Sequence, residues 1–186
     1  MIQTDQFLLL EGGVDVDSRR YGKKRHYLAQ PPNVARDERE LLAIAEYQDK
    51  GLPIIGICRG AQLICVANGG ELWQHSDHHD ESHGLNFKHG FLKSAAAGHH
   101  QIMRLDTVPE EEYKVIAWCP FYTPVYDEDN GKHILEAAPE VVWFPKTKCL
   151  AIQPHPEWES SNSPFRVWID AIVKQYTGLE NVFNIY

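Results

Sequence analysis

No stretch of this 186-residue sequence is apolar for long enough to cross a membrane as a helix, and no basic-then-apolar leader precedes its first strand pattern. Both absences argue against membrane insertion and secretion, and a cytoplasmic setting is the expectation. Cysteine is sparse: the four occur at positions 58, 65, 119 and 149, with no CxxC pair among them. That spacing argues against a disulfide framework and for reduced thiols. Positive charge is also short. Lys plus Arg number 18 against 26 Asp plus Glu, a formal net charge of -8, so a nucleic-acid backbone is a poor candidate for the main ligand. No internal repeat, linker or low-complexity tract divides the chain. An apolar fraction of 43% over this length supports one substantial core, and a single domain over residues 1–186 is expected.

Along the sequence, apolar runs alternate with helical patterns. A strand is expected over residues 7–10, ending in Glu11-Gly-Gly13, where two glycines permit a tight turn and a close backbone approach to a ligand. The basic residues between Arg19 and Arg25 read as a solvated loop face. A helix over 35–50, with Leu41, Leu42, Ile44 and Ala45 on its apolar side, stops at Gly51. A strand over 53–57 turns directly into a helix over 59–67, which Gly69-Gly70 ends. Residues 71–98 are rich in histidine without a clean period and read as a long excursion near the active face. Strands follow over 112–118, 134–137, 141–144 and 149–153, and a helix over 164–176 buries Phe165, Trp168, Ile169 and Ile172. This is an α/β layer pattern, and ligands in such folds gather beyond the carboxyl ends of strands, where Gly12, Gly13, Cys58 and His155 would lie.

Cys58 stands on the strand-to-helix corner between Gly56 and Gly60. A free cysteine is most often core filling. Here the flanking glycines relieve crowding at a sharp turn, and amides at the helix start can favour a thiolate and later a negative tetrahedral intermediate, so a nucleophile is the better reading. Cys65, Cys119 and Cys149 lack that setting and are assigned to packing. Pro154 and Pro156 bias His155 toward an extended conformation, in which positions 155 and 157 face the same way and Glu157 orients the ring. The set suggests acyl transfer through a cysteine, with no organic cofactor required.

Other clusters receive blander readings. The run from His75 to His83 holds imidazoles and carboxylates able to bind zinc, but its spacing equally suits a solvated loop, and no metal is assigned. Trp118, Phe121, Tyr122, Tyr126, Trp143, Phe144 and Trp158 read as core or rim packing. Asp127, Glu128 and Asp129 read as a solvated turn.

Taken together, Gly56-Ile-Cys-Arg-Gly-Ala-Gln62 followed by Gly69-Gly70, the trio His99-His100-Gln101, Gln153-Pro-His-Pro-Glu157 and the early Glu11-Gly-Gly-Val-Asp-Val-Asp17 resemble class I glutamine amidotransferase-like proteins, especially the gamma-glutamyl hydrolase branch of peptidase family C26. The resemblance implies a three-layer, flavodoxin-like α/β fold, here shortened at the amino end by a strand and a helix. A sheet edge left open there would need cover, for which a homodimer is one means. It also implies Cys58 as nucleophile, His155 as base and then acid, and Glu157 as third member. The amides of Arg59 and of Gly12 or Gly13 would form the oxyanion hole, with Gln62, His99, His100 and Gln101 shaping a glutamyl pocket. The expected activity is hydrolysis of glutamine or another small gamma-glutamyl amide through a cysteine thioester. Two alternatives stand beside it: a glutaminase subunit delivering ammonia to a separate synthetase or acceptor enzyme, and a noncatalytic binding relative.

Overall fold

A computed structural model describes residues 1–77 and 81–185. The run of leucines at the start forms β2 (Leu8–Leu10), paired antiparallel with the short β1 (Ile2–Gln3). Helix α1 (Val34–Asp49) begins where the Asn33 side chain accepts the Arg36 amide at 3.0 Å, satisfying one of the free donors of a helix start. It leads into β3 (Ile54–Ile57) and, after one residue, α2 (Arg59–Ala67). Four short strands occupy the histidine-rich region: β4 (Glu71–Trp73), β5 (His75–Ser76), β6 (His83–Phe87) and β7 (Gly90–Ala95). Then come β8 (Ile102–Arg104), β9 (Lys114–Cys119), β10 (Thr123–Tyr126), β11 (Lys132–Leu135), β12 (Ala138–Phe144) and β13 (Cys149–Ile152), before α3 (Pro164–Thr177) closes the set.

Among the described residues the main sheet has eight strands in the order β1-β2-β3-β13-β12-β9-β6-β7. Only β2, β3 and β13 run parallel, with Leu8 and Cys149 both level with Ile54. Strand alternation sorts their apolar side chains into two layers. Leu8, Leu10, Ile54, Cys149 and Ala151 pack with Ile44 and Tyr47 of α1 and Leu63 and Ile64 of α2. Leu9, Ile55, Ile57, Leu150 and Ile152 pack with Phe165, Ile169 and Val173 of α3. The result is the three-layer α/β arrangement that the alternating pattern implies. No described helix is long and apolar enough to cross a membrane.

Several expectations are corrected. Residues 71–98 are not an irregular excursion, because β4 pairs with β8, β5 with β10, and β6 with β7 and β9. Most of those partners are distant in sequence, so no local period announces them. The strand expected over 134–137 shifts to β11 and joins β10 in a separate sheet. Strand β12 runs straight through Pro139 and Glu140. Pro139 pairs with Trp118 and Val141 with Ala117, so Glu140 is the extra residue of a bulge, the setting in which a strand tolerates proline. On α1, Leu42 is 73% exposed, and the buried stripe is Asp37, Glu40, Ala43, Ile44 and Tyr47. Leu41 and Ile44 pack on the core as expected, whereas Leu42 and Ala45 face outward and two carboxylates take up the inward face.

Gly56 and Gly60 bring β2, β3 and α2 into backbone contact. A Cβ at Gly60 would overlap the Leu10 carbonyl oxygen, and one at Gly56 would overlap the Gly60 carbonyl. Neither neighbour is a flexible side-chain tip, so relief requires moving the backbone. Gly60→Ala should lower stability by about 1–3 kcal/mol, as overpacking does, measured as a lower urea midpoint at unchanged slope.

Candidate active site

Strand β3 delivers Cys58 to a corner with φ 51° and ψ -107°, a left-handed conformation that a side-chain-bearing residue adopts only under constraint. The constraint is visible: the Cys58 amide donates to Ile152 O at 2.8 Å, and its carbonyl accepts the Gln62 amide at 3.1 Å. One hydrogen bond ties the corner to β13 and the other starts α2. Cys58 is 6% exposed, and this burial pushes its thiol up to about 12. The Arg59 amide opposes the rise, while the charges of Glu157, Asp15 and Glu140 add to it. Burial therefore favours the protonated sulfur, and a thiolate nucleophile would be generated by handing that proton to a base.

The candidate base, His155, lies just past the end of β13. The His155 amide donates to Ala96 O at 2.7 Å, and its ring Nδ1 lies 2.6 Å from Glu157 Oε1. An ionised carboxylate only accepts, so Nδ1 carries the hydrogen and Nε2 keeps its lone pair. The Trp158 indole stacks on this ring with centroids 3.6 Å apart and planes 2° from parallel, and Trp158 itself is 61% exposed. His155 meets Glu157 through a single 3-10 turn, Pro156–Trp158, rather than along an extended segment. A Cβ added to Gly12 would lie 3.0 Å from His155 Cε1 and 3.7 Å from Cys58 Cβ. Loop, elbow and base therefore meet around one point where only glycine fits.

The glycine loop is held by Arg36, which donates to Glu11 O at 3.0 Å and to Gly12 O at 3.1 Å. A trans peptide points its N–H opposite to its C=O, so clamping the Gly12 carbonyl turns the Gly13 amide away from Arg36. Arg36 Nε donates to Glu40 Oε1 at 2.8 Å. The other Glu40 oxygen and Asp37 Oδ1 grip the guanidinium of Arg59, and Asp37 Oδ2 accepts the Asp17 amide at 2.9 Å. Arg36, Asp37 and Glu40 are functional candidates that sequence reasoning missed. The available signal was their helical spacing with Ile44 and Tyr47, which places two of them on the buried face.

The remaining candidates divide. Gln62 Nε2 donates to Gln101 O at 3.1 Å, so those residues are in contact beneath the elbow. His100 reaches Asp15 Oδ1 through Nε2 at 3.1 Å and His75 through Nδ1 at 3.3 Å. His99 turns instead toward Glu140. The aromatic set does not gather: Phe144 is in the core, Trp143 packs on Tyr176, and Phe121 and Tyr122 are exposed. Asp127 does form a turn, accepting the Gly131 amide at 2.7 Å. Within the histidine run, His78, His79 and Asp80 lie outside the described residues.

The layered sheet defines a protein with the class I glutamine amidotransferase-like fold. The sequence model of the family described as Peptidase C26 matches residues 1–118, and the chain belongs to that family. It is 40% identical over 68 residues to the "Putative glutamine amidotransferase Rv2859c" of Mycobacterium tuberculosis, a stretch covering 37% of this chain and 22% of that protein. It is 42% identical over 67 residues to the "Putative glutamine amidotransferase-like protein YvdE homolog" of Lactococcus lactis subsp. cremoris, covering 36% of each. The matches thus span well under half the length of these curated relatives. Among solved structures, a "putative gmp synthase subunit a protein" of Thermoplasma acidophilum aligns with a TM-score of 0.56 at 18% identity, covering 92% of this chain and 71% of that one.

Two measurements follow. Because the Cys58 thiol is pushed up to about 12, its alkylation by iodoacetamide, followed by mass spectrometry of the Cys58 peptide, should climb about tenfold per pH unit from 7 to 9. A plateau above pH 7 would instead report a preformed thiolate. Asp37→Asn removes one anion from the buried Arg59 guanidinium and should cost about 3 kcal/mol in urea denaturation.

Proposed function

We propose that the protein hydrolyses the side-chain carboxamide of glutamine, or a small gamma-glutamyl amide, through a thioester on Cys58. The observation that carries this reading is the His155–Glu157 hydrogen bond of 2.6 Å on a ring that, like the Cys58 Cβ, closes on the one position a Gly12 side chain would take. The Cys58 proton passes to His155 Nε2 as sulfur attacks the carbonyl carbon. The resulting oxyanion accepts from the Arg59 amide and from an amide of Gly12 or Gly13. Protonated His155 then gives its proton to the leaving nitrogen, the C–N bond breaks, and ammonia or an amine departs. Water, deprotonated by the same ring, attacks the thioester and releases the acid. Glu157 stabilises the imidazolium in both halves. Gln62, His100 and Gln101 line the glutamyl side of this pocket, whereas His99 faces Glu140. Membership of the Peptidase C26 family and the curated relatives' names support an amidohydrolase of this kind.

A second reading has the same half-reaction feeding ammonia to a synthetase. It is favoured by the likeness in fold to a chain named as a synthase subunit. Ammonia release from glutamine and from several gamma-glutamyl amides separates these readings. The isolated chain should release ammonia or amine, Cys58→Ser should release none, and Glu157→Gln should lower kcat on the order of 10²–10⁴-fold. Release seen only after a synthetase is added would favour the coupled reading, and no release under either condition would overturn both.

A further inference from the structure

Beside the candidate active site is a second cluster, built by the bulge in β12. The extra residue, Glu140, carries its side chain into the interior, where it is fully buried. His83 Nε2 lies 3.2 Å from Glu140 Oε1, and His99 Nε2 lies 3.6 Å from Glu140 Oε2. One donor atom from each of the three residues falls within 4.8 Å of the others. Their rings meet edge to face at 5.8 Å, which lets both Nε2 atoms face the carboxylate.

The opposite ring nitrogens decide what the cluster can hold. His83 Nδ1 lies 3.1 Å from Glu81 O, and His99 Nδ1 lies 3.2 Å from Gln101 O. A carbonyl only accepts, so both Nδ1 atoms carry hydrogen, and in the neutral rings both Nε2 lone pairs are directed at the anion. That orientation presents both Nε2 lone pairs and the carboxylate as donors to a common cation. Donors around zinc at its usual bond lengths lie about 3.3 Å apart, and each imidazole nitrogen stands near that distance from a different oxygen of Glu140, so binding would draw the three ligands together from a set lying within 4.8 Å. Imidazoles anchored through Nδ1 by backbone carbonyls are also the usual support of metal-ligating histidines.

We propose that His83, His99 and Glu140 hold a divalent transition-metal ion, with zinc the occupant that two imidazoles and a carboxylate best fit. Three protein ligands leave a fourth position for water or another donor. The ion would join β6, the 96–101 crossing and β12. The same segments position the candidate base, since Ala96 O receives the His155 amide and Glu140 O receives the Gln153 amide at 2.8 Å. The sequence alone gave no reason to assign this site, because its ligands are spread over 58 residues and one depends on a bulge.

The test measures metal directly and does not depend on the proposed activity. The full chain, stripped with chelator and titrated with Zn²⁺, should bind one equivalent, shown by elemental analysis after desalting, and should melt at higher temperature. With Co²⁺ it should give the visible bands of a tetrahedral nitrogen and oxygen site without a thiolate charge-transfer band. Glu140→Gln and His83→Asn should weaken Zn²⁺ binding at least about tenfold, while Cys58→Ser should keep it. A chain that binds neither metal and melts unchanged would overturn the proposal and leave a proton in the cluster. A thiolate band, or loss of binding in Cys58→Ser, would overturn it by placing the ion on the catalytic sulfur. Should the ligand variants fail to fold, the wild-type Co²⁺ spectrum decides alone.

Discussion

The buried charge network of Arg36, Asp37, Glu40 and Arg59 is the constraint from which the rest of the site takes its shape. Arg59 follows Cys58, and its guanidinium, 1% exposed, lies between the carboxylates of Asp37 and Glu40 on α1. Taking such groups out of water is costly, and a matched pair does little better than break even against apolar packing. Its value lies in direction. With the guanidinium fixed against α1, the Arg59 backbone is fixed as well, and with it the amide that favours a Cys58 thiolate. Arg36 carries the same network to the carbonyls of Glu11 and Gly12, so both expected sources of oxyanion donors are referenced to one helix.

This explains how a strained corner persists. Cys58 at φ 51° costs on the order of 1–3 kcal/mol. The strain is spread over backbone bonds to Ile152 and Gln62, contact between glycines, and the ion network behind Arg59. None of these contacts neutralises the sulfur. The environment instead keeps the thiol protonated, so reactivity depends on the partner that takes the proton and on the roof that Trp158 places over that partner.

What was legible in the sequence was local. Gly56, Cys58 and Gly60 announce a strand-to-helix corner within five residues, and Pro154 and Pro156 mark His155 as a constrained position. The parallel strands β2, β3 and β13 read as continuous apolar runs because both their faces are covered. The illegible part was relational. Asp37 and Glu40 look like ordinary surface charge until the helix is wound and they fall on the stripe of Ile44 and Tyr47. Strands β4 to β7 owe their order largely to distant partners, and Glu140 turns inward only because one residue in β12 has no opposite number in β9.

Hydrogen-bond accounting then singles out the base. Three carboxylates are close enough to raise the Cys58 thiol, and each has a histidine partner: Glu157 with His155, Asp15 with His100, Glu140 with His83 and His99. His100 spends Nε2 on Asp15 and Nδ1 on His75. His99 turns Nδ1 to a backbone carbonyl and faces Glu140 with Nε2, and His83 is arranged likewise. His155 alone of these four uses one ring nitrogen on its carboxylate and, among the described residues, makes no hydrogen bond with the other. It is also the ring whose Cε1 would lie 3.0 Å from a Cβ added to Gly12, a position 3.7 Å from the Cys58 Cβ. In the proposed mechanism, proton acceptance from the sulfur therefore falls to His155, and the other imidazole–carboxylate pairs would shape and brace the surroundings.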